Sequence, residues 1–177
     1  MIYFTSDLHF YHDKVIQYAN RPFYNADEMN RALIRRWNQK VGVQDEVYIL
    51  GDITMKGPQY ATEVIRALHG KKYLIRGNHD QFVDREEFDR SLFEWIKEYY
   101  ELQYENQWFI LFHYPIEEWN GFFRGAIHLH GHQHNHETYN YANLEKGLRR
   151  YDVGVDANRM YPVSIEEILL FFSMGNL

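Results

Sequence analysis

The stretch Leu74-Ile75-Arg76-Gly77-Asn78-His79-Asp80 decides how this chain is read. Leu74 and Ile75 have the character of a buried strand. Gly77 permits a backbone turn that a side chain would hinder, and an amide, an imidazole and a carboxylate then follow at the strand's carboxyl edge. Taken alone, the cluster suits either a cation or a turn whose Asn78 and Asp80 satisfy local backbone groups. The rest of the chain separates these readings, because the same pattern recurs.

Upstream, Val47-Tyr48-Ile49-Leu50 also runs through a glycine into a carboxylate, Gly51-Asp52, before Lys56-Gly57-Pro58 breaks the chain. A helix from about Gln59 to Leu68 connects it to Lys72-Tyr73-Leu74-Ile75, which gives a parallel βαβ unit with a right-handed crossover. The first apolar run, Met1 to Thr5, delivers Ser6-Asp7-Leu8-His9, where Asp7 and His9 point the same way if the chain stays extended. Between these strands, Met29, Leu33, Ile34, Trp37 and Val41 recur at helical spacing, with Asn25 as N-cap and Glu28 three residues later.

Downstream, Asp84 to Leu92 reads as a short helix. Tyr99 to Tyr104 and Trp108 to Phe112 read as strands around a Glu105-Asn106 turn, so the second half is expected to be antiparallel or mixed. The second of these strands ends at His113. A loop from Tyr114 to Gly125 carries Trp119, Phe122 and Phe123, after which Ala126 to His130 resumes a strand that ends at Gly131-His132-Gln133-His134. One more strand is expected over Tyr151 to Val155, and Ser164-Ile165-Glu166-Glu167 is a capping box opening a C-terminal helix through Ile168, Leu169 and Leu170.

Composition narrows the function. The 177 residues suit a single domain, 1–177, large enough for a real core. Lys and Arg number 19 against 25 Asp and Glu, a net charge of −6, so no global basic field exists to hold a long nucleic acid. The absence of cysteine excludes disulfides, thiolate zinc sites and a cysteine nucleophile. Met1 opens directly into a strand pattern without a basic start or long apolar run, and a soluble cytoplasmic protein with no membrane association is expected.

Five strands thus end in candidate metal ligands: Asp7 and His9, Asp52, Asn78, His113, and His132 with His134. In an open α/β sheet, ligands bind outside the carboxyl ends of strands, so these residues are expected to converge on one rim. Imidazoles, carboxylates and an amide without thiolate suit Mn²⁺ foremost, with Fe²⁺, Zn²⁺ or Ni²⁺ also compatible with the donors. Seven ligands exceed what one such ion takes. For two ions about 3.5–4 Å apart, one carboxylate must bridge through its two oxygens, and Asp52, alone at its strand end, is the best placed. Two carboxylates against two dications leave a net positive site that suits hydroxide and phosphate.

This ordered set, from Asp7-Leu8-His9 through Gly51-Asp52, Gly77-Asn78-His79-Asp80 and His113 to Gly131-His132-Gln133-His134, resembles the calcineurin-like metallophosphoesterases over nearly the whole chain. The resemblance implies a mixed α/β fold: a two-sheet β-sandwich flanked by helices in four αββα layers. It also implies one metal on Asp7, His9, Asp52 and His134, and another on Asp52, Asn78, His113 and His132. His79 then matches the residue that stabilises the reacting phosphate or protonates the leaving oxygen. Asp80, where the family often has Glu, would keep that imidazole oriented. The implied activity is hydrolysis of a small phosphate ester, a nucleotide among the candidates, by a hydroxide shared between two divalent ions. A diester is weakly preferred because nothing conspicuously basic beyond the metals offers to hold a second phosphate charge. Hydrolysis of monoesters, a nuclease on long DNA or RNA, and a metal-free binding scaffold are the alternatives.

His12, His128, His130 and His136 flank these motifs and are read as supporting or surface residues, and His69 as a helix cap. Arg76 and Arg124 are read as solvated, as are Asp84-Arg85-Glu86-Glu87 and Glu117-Glu118. For the loop rings Trp119, Phe122 and Phe123, packing against the sandwich stands against a second role, in which one of them forms a wall for the organic part of the ester, with Trp119→Ala as the variant that separates the two.

Overall fold

The computed structural model describes residues 1–174. Alternation in the first strands builds the architecture. In β1 (Ile2–Thr5), β2 (Glu46–Ile49) and β3 (Lys71–Ile75), residues Tyr3, Val47, Ile49 and Leu74 face one way, while Phe4, Tyr48 and Ile75 face the other. Both faces are therefore buried, as a sheet covered on each side requires.

The outward set packs under α1 (Asp13–Tyr18), α2 (Ala26–Lys40) and α3 (Pro58–Ala67), against Met29, Leu33, Trp37, Val64 and Ile65. Asn25 caps α2 by accepting the Glu28 N–H at 2.9 Å, and Pro58 occupies the first turn of α3, where its missing N–H costs nothing. The inward set meets Leu102, Phe109, Leu111, Ile127 and Leu129 of a second sheet. Each large side chain buried there contributes roughly 1.5–3 kcal/mol.

The first sheet has the order β4-β3-β2-β1-β9, with β4 (Trp95–Lys97) parallel to β3 and β9 (Val163–Ser164) antiparallel to β1. The second has the order β5-β6-β7-β8, formed by β5 (Tyr99–Tyr104), β6 (Gln107–Phe112), β7 (Ile127–His130) and β8 (Arg150–Asp152). It is mixed: β5 and β6 form a hairpin across Glu105 and Asn106, whereas β6, β7 and β8 run parallel. The 114–125 loop covers its outer face at Ile110, and helix α4 (Glu137–Glu145) lies along the β8 edge. In α5 (Ile165–Met174), the expected capping box forms in both directions, Ser164 N–H to Glu167 at 2.7 Å and Glu167 N–H to the Ser164 hydroxyl at 3.1 Å. This is the expected sandwich of two sheets flanked by helices.

Some elements differ from expectation. Asp84 to Leu92 is not a helix but two short 3-10 turns, Gln81–Asp84 and Arg90–Leu92, with irregular chain between. Val83, Phe88 and Phe93 all enter the core, and a five-residue spacing would put them on different faces of a helix. The edge strands β4 and β9 are too short to read locally, and α4 escapes notice because it buries Asn140 and Asn143 instead of an apolar stripe. These amides hold the Asp152 and Arg150 carbonyls of β8. His69 caps a different helix from its own: its Nδ1 lies 3.2 Å from the Val41 carbonyl at the end of α2.

His128 ties the 114–125 loop to the second sheet. Its Nδ1 lies 3.0 Å from the Ile110 carbonyl, and its Nε2 lies 3.3 Å from the Ile116 nitrogen, whose N–H the neutral ring can accept, and 3.2 Å from the Tyr114 carbonyl. Burial, followed by neighbouring His130, pushes its pKa down to about 3. The unfolded chain therefore binds more protons as pH falls from about 6.5 towards 3, so His128 subtracts stability in that window and costs nothing above it. Urea unfolding of the wild type and His128→Gln between pH 7 and 4 should show the wild type losing stability more steeply, by up to about 1.4 kcal/mol per pH unit. Parallel slopes would mean that this histidine does not titrate in the transition.

Candidate metal centre

The sheets meet at the carboxyl ends of β1 and β8, where Ser6 and Gly154 form a parallel bridge and Val155 N–H reaches the Ser6 carbonyl at 3.1 Å. All the strand ends predicted to carry ligands arrive here. Asp7, His9 and His134 form one triad, and Asp52, His113 and His132 another. Within each, one ligand atom per residue lies within 4.8 Å of the others. Asn78 joins the second, its Oδ1 3.0 Å from His113 Nε2.

Asp52, a member of the second triad, also faces the first: its Oδ2 lies 3.6 Å from His9 Nε2 and 3.5 Å from His113 Nε2. Its Oδ1 is already used, accepting the His79 N–H at 2.9 Å. The oxygen nearest to both His9 and His113 is thus the same one, Oδ2.

The backbone is bent to present these groups. Asp7, His9, Asp52, His132 and His134 all lie in the left-handed region, with φ of 57°, 49°, 60°, 73° and 51°. Non-glycine residues avoid this region, and it concentrates where surrounding structure enforces it for function. Gly77 and Gly131 are required for close approach. A Cβ on Gly77 would strike Asp52, and one on Gly131 would strike Ser6 and the Asp7 carboxylate.

The donor set fits a cation. His113 Nδ1 lies 2.7 Å from the Leu50 carbonyl and must donate to it, which in the neutral ring leaves Nε2 as a lone pair facing two further acceptors, Asn78 Oδ1 and Asp52 Oδ2. His9 is 1 % exposed, and among the described residues neither of its ring nitrogens has a hydrogen-bond partner. Burial, with neighbouring His134 and Arg21, holds that ring neutral, so its approach to Asp52 is not an ion pair. Burial pushes the Asp7 carboxyl up to about 8 despite hydrogen bonding from Ser6. Convergent lone pairs and a carboxylate that burial alone would protonate are what a bound dication reverses.

The family profile of the calcineurin-like phosphoesterases matches residues 1–163. The chain belongs to that family. An uncharacterized protein of Methanocaldococcus jannaschii is 33% identical over 178 residues, which cover 99% of this chain and 93% of that protein. The gene 66 protein of Mycobacterium phage L5 is 40% identical over 81 residues, 44% of this chain and 39% of the phage protein. A crystal structure of a protein of unknown function from Aquifex aeolicus superposes with a TM-score of 0.71 at 23% identity, covering 96% of this chain and 98% of that one, and shares the fold. As a calcineurin-like phosphoesterase with two candidate His/Asp metal sites, this chain is a metal-dependent phosphoester hydrolase.

Within this phosphoesterase, Asp80 does not hold the His79 ring. Its buried carboxylate accepts the main-chain N–H groups of Asp52, Ile53 and Gly77, each at 2.8 Å, and no hydrogen bond joins it to His79 among the described residues. One residue after His79, its side chain turns inward and clamps the β2 and β3 loops that carry Asp52 and Asn78. Burial pushes its carboxyl up to about 6 although those three bonds favour the charged form.

The other assignments divide similarly. His12 and His136 lie outside both triads, and His128 and His130 are buried against the 114–125 loop and α4. Arg76 pairs with Asp84, and Arg124 reaches Asn120 at 3.4 Å. Trp119 is 7% exposed, donates to the Ala126 carbonyl at 3.0 Å and packs against Phe122 and His128, so it anchors the loop.

Sequence reasoning missed Arg21 and Asp156. Asp156 accepts two bonds from Arg21 at 2.8 Å and faces His134 Nδ1 at 2.8 Å, leaving His134 Nε2 for the centre. Arg21 also donates to the carbonyls of Asp7 and Leu8, at 2.6 and 3.0 Å. Burial works to raise the Asp156 pKa, but the bonds from His134 and Arg21 outweigh it and hold the carboxyl below its ordinary value. A signal existed: Tyr151, Val153 and Val155 alternate at the strand period and run into a carboxylate, Asp156. Because Asp156 sets the orientation and tautomer of His134, Asp156→Asn should weaken metal binding by about 10–100-fold. Calorimetric titration would check this; unchanged affinity would reduce the pair to a packing element.

Proposed function

We propose that this calcineurin-like phosphoesterase is dinuclear, is activated best by Mn²⁺, and acts on diesters in preference to monoesters, with the cytoplasm as its compartment. The observation that carries the reading is the single Asp52 oxygen lying 3.6 and 3.5 Å from the Nε2 atoms of His9 and His113, one from each triad. Asp7, His9, Asp52 and His134 would hold one ion, and Asp52, Asn78, His113 and His132 the other. Bound there, two cations supply a water acidic enough to ionise near neutral pH and positive charge for the phosphoryl oxygens.

The chain's own groups do the rest. The Asp52 carboxylate orients the main chain at His79, whose half-buried ring lies 5.5 Å from the His9 ring at the mouth of the centre, placed to donate a proton to the leaving oxygen. The diester preference is supported by charge. Arg76, the nearest arginine in sequence to Asn78 and His79, is engaged by Asp84 and Glu98, so it is not offered to a monoester's second negative charge. The net charge of −6 argues against a long nucleic acid as substrate.

Reconstitution followed by elemental analysis and an ester screen tests the reading. Two manganese ions per chain are expected, with faster turnover of bis(p-nitrophenyl) phosphate than of p-nitrophenyl phosphate. At most one bound metal at activating concentrations would remove the dinuclear centre, and the reverse substrate order would remove the diester preference. Cell fractionation checks the compartment.

A further inference from the structure

Each triad has a tyrosine ring against its outermost histidine, and neither ring is needed by the core. Tyr114 follows the candidate ligand His113 and lies 4.6 Å from the His132 ring and 4.9 Å from the His113 ring, centroid to centroid. Tyr18, at the end of α1, lies edge-on to His134 at 5.5 Å. The two are 36% and 59% exposed, and His132 and His134, which they flank, are two residues apart on one loop. A phosphate held between the triads would therefore have an exposed aromatic surface beside each end of the site. On the Tyr114 side the surface continues, with Phe112 at 5.5 Å and Tyr99 a further 6.4 Å along the outer face of the second sheet.

A monoester has one organic arm and would leave one of these rings unused, whereas a diester has an arm for each. Methyl or other small alkyl arms would leave both surfaces wet. Flat aromatic arms would cover them, and a nucleobase stacks on tyrosine without needing a particular base. We infer that Tyr114 and Tyr18 are the two walls of the ester site, each taking one flat nucleobase-like group of a dinucleotide-type phosphodiester. The inference rests on the proposed reading of the metal centre and names its substrate class. It replaces Trp119 in the wall role, since that ring is buried under its own loop. The longer surface beyond Tyr114 assigns the bulkier or extended arm to that side.

The test is calorimetric binding to manganese-loaded protein of two probes, dithymidine phosphorothioate, a slowly hydrolysed diester, and dimethyl phosphate. Tyr114→Ala and Tyr18→Ala should each weaken the dithymidine probe by about 5- to 150-fold, the range expected for loss of one base-stacking contact. Dimethyl phosphate affinity and manganese content should stay at wild-type values, and Tyr114→Phe and Tyr18→Phe should bind both probes as the wild type does. Wild-type protein that does not bind the dithymidine probe, alanine variants that bind it normally, or equal losses on both probes would each overturn the walls. If an alanine variant does not fold, the phenylalanine variant keeps the question open to decision, because loss of the dithymidine probe there would place the contact on the hydroxyl and overturn stacking. Selective losses without turnover of any phosphate ester by the wild type would uphold the walls and reject the hydrolytic reading instead.

Discussion

Asp52→Asn should abolish hydrolysis and strip metal from both triads while the protein remains folded. The substitution keeps the volume of the side chain and can keep an oxygen towards the His79 N–H, which Asp52 Oδ1 accepts at 2.9 Å. What it removes is the negative charge at Oδ2, the atom facing both His9 and His113. Two cations brought within a few ångströms repel strongly, and a shared anion is the term that offsets this in a site shielded from water. Loss of one preorganised electrostatic contact alone costs about 10²–10³ in rate, and here that loss adds to lost metal occupancy. Asp7→Asn, which affects one triad, should be the milder change. Metal content and turnover measured together would decide; Asp52→Asn protein retaining two ions and appreciable activity would place the bridge elsewhere.

His79→Ala should keep both metals and lose rate by about 10²–10⁴-fold. The structure makes this an interpretable variant, because His79 enters the local bonding through its main-chain N–H, which alanine retains, and its ring stands half-exposed beside His9. The effect should grow with the pKa of the leaving group: small for nitrophenyl esters, whose oxygen departs without a proton, and large for alkyl esters. Equal losses on both would assign His79 to phosphate stabilisation alone. Asp80→Asn is the informative companion. Its carboxylate holds three main-chain N–H groups instead of the imidazole, so the variant should lower thermal stability and metal affinity without that dependence on leaving group.

The sandwich and the candidate ligands were legible in the sequence because both depend on local patterns. Phe4, Tyr48 and Ile75 alternate with Tyr3, Val47, Ile49 and Leu74 at the strand period, and the strands that carry the candidate ligands stop where a polar residue replaces an apolar one. Residue chemistry likewise narrows the metal, since carboxylates, imidazoles and an amide offer oxygen and nitrogen without sulfur.

Tertiary structure alone decided how those groups are used. Asp80 adjoins His79 in sequence, yet adjacency says nothing of direction, and the side chain turns to the unpaired N–H groups that packing leaves within its reach. Arg21 and Asp156 lie 135 residues apart and meet only because the sheets converge at Ser6 and Gly154, which places Asp156 behind His134. The left-handed backbone at Asp7, His9, Asp52, His132 and His134 has no marker in residue type, because it is imposed by the converging strand ends around it. Periodicity determines which face a residue occupies. Which hydrogen-bond partner it finds depends on distances of a few tenths of an ångström, and only the packed sheets set those.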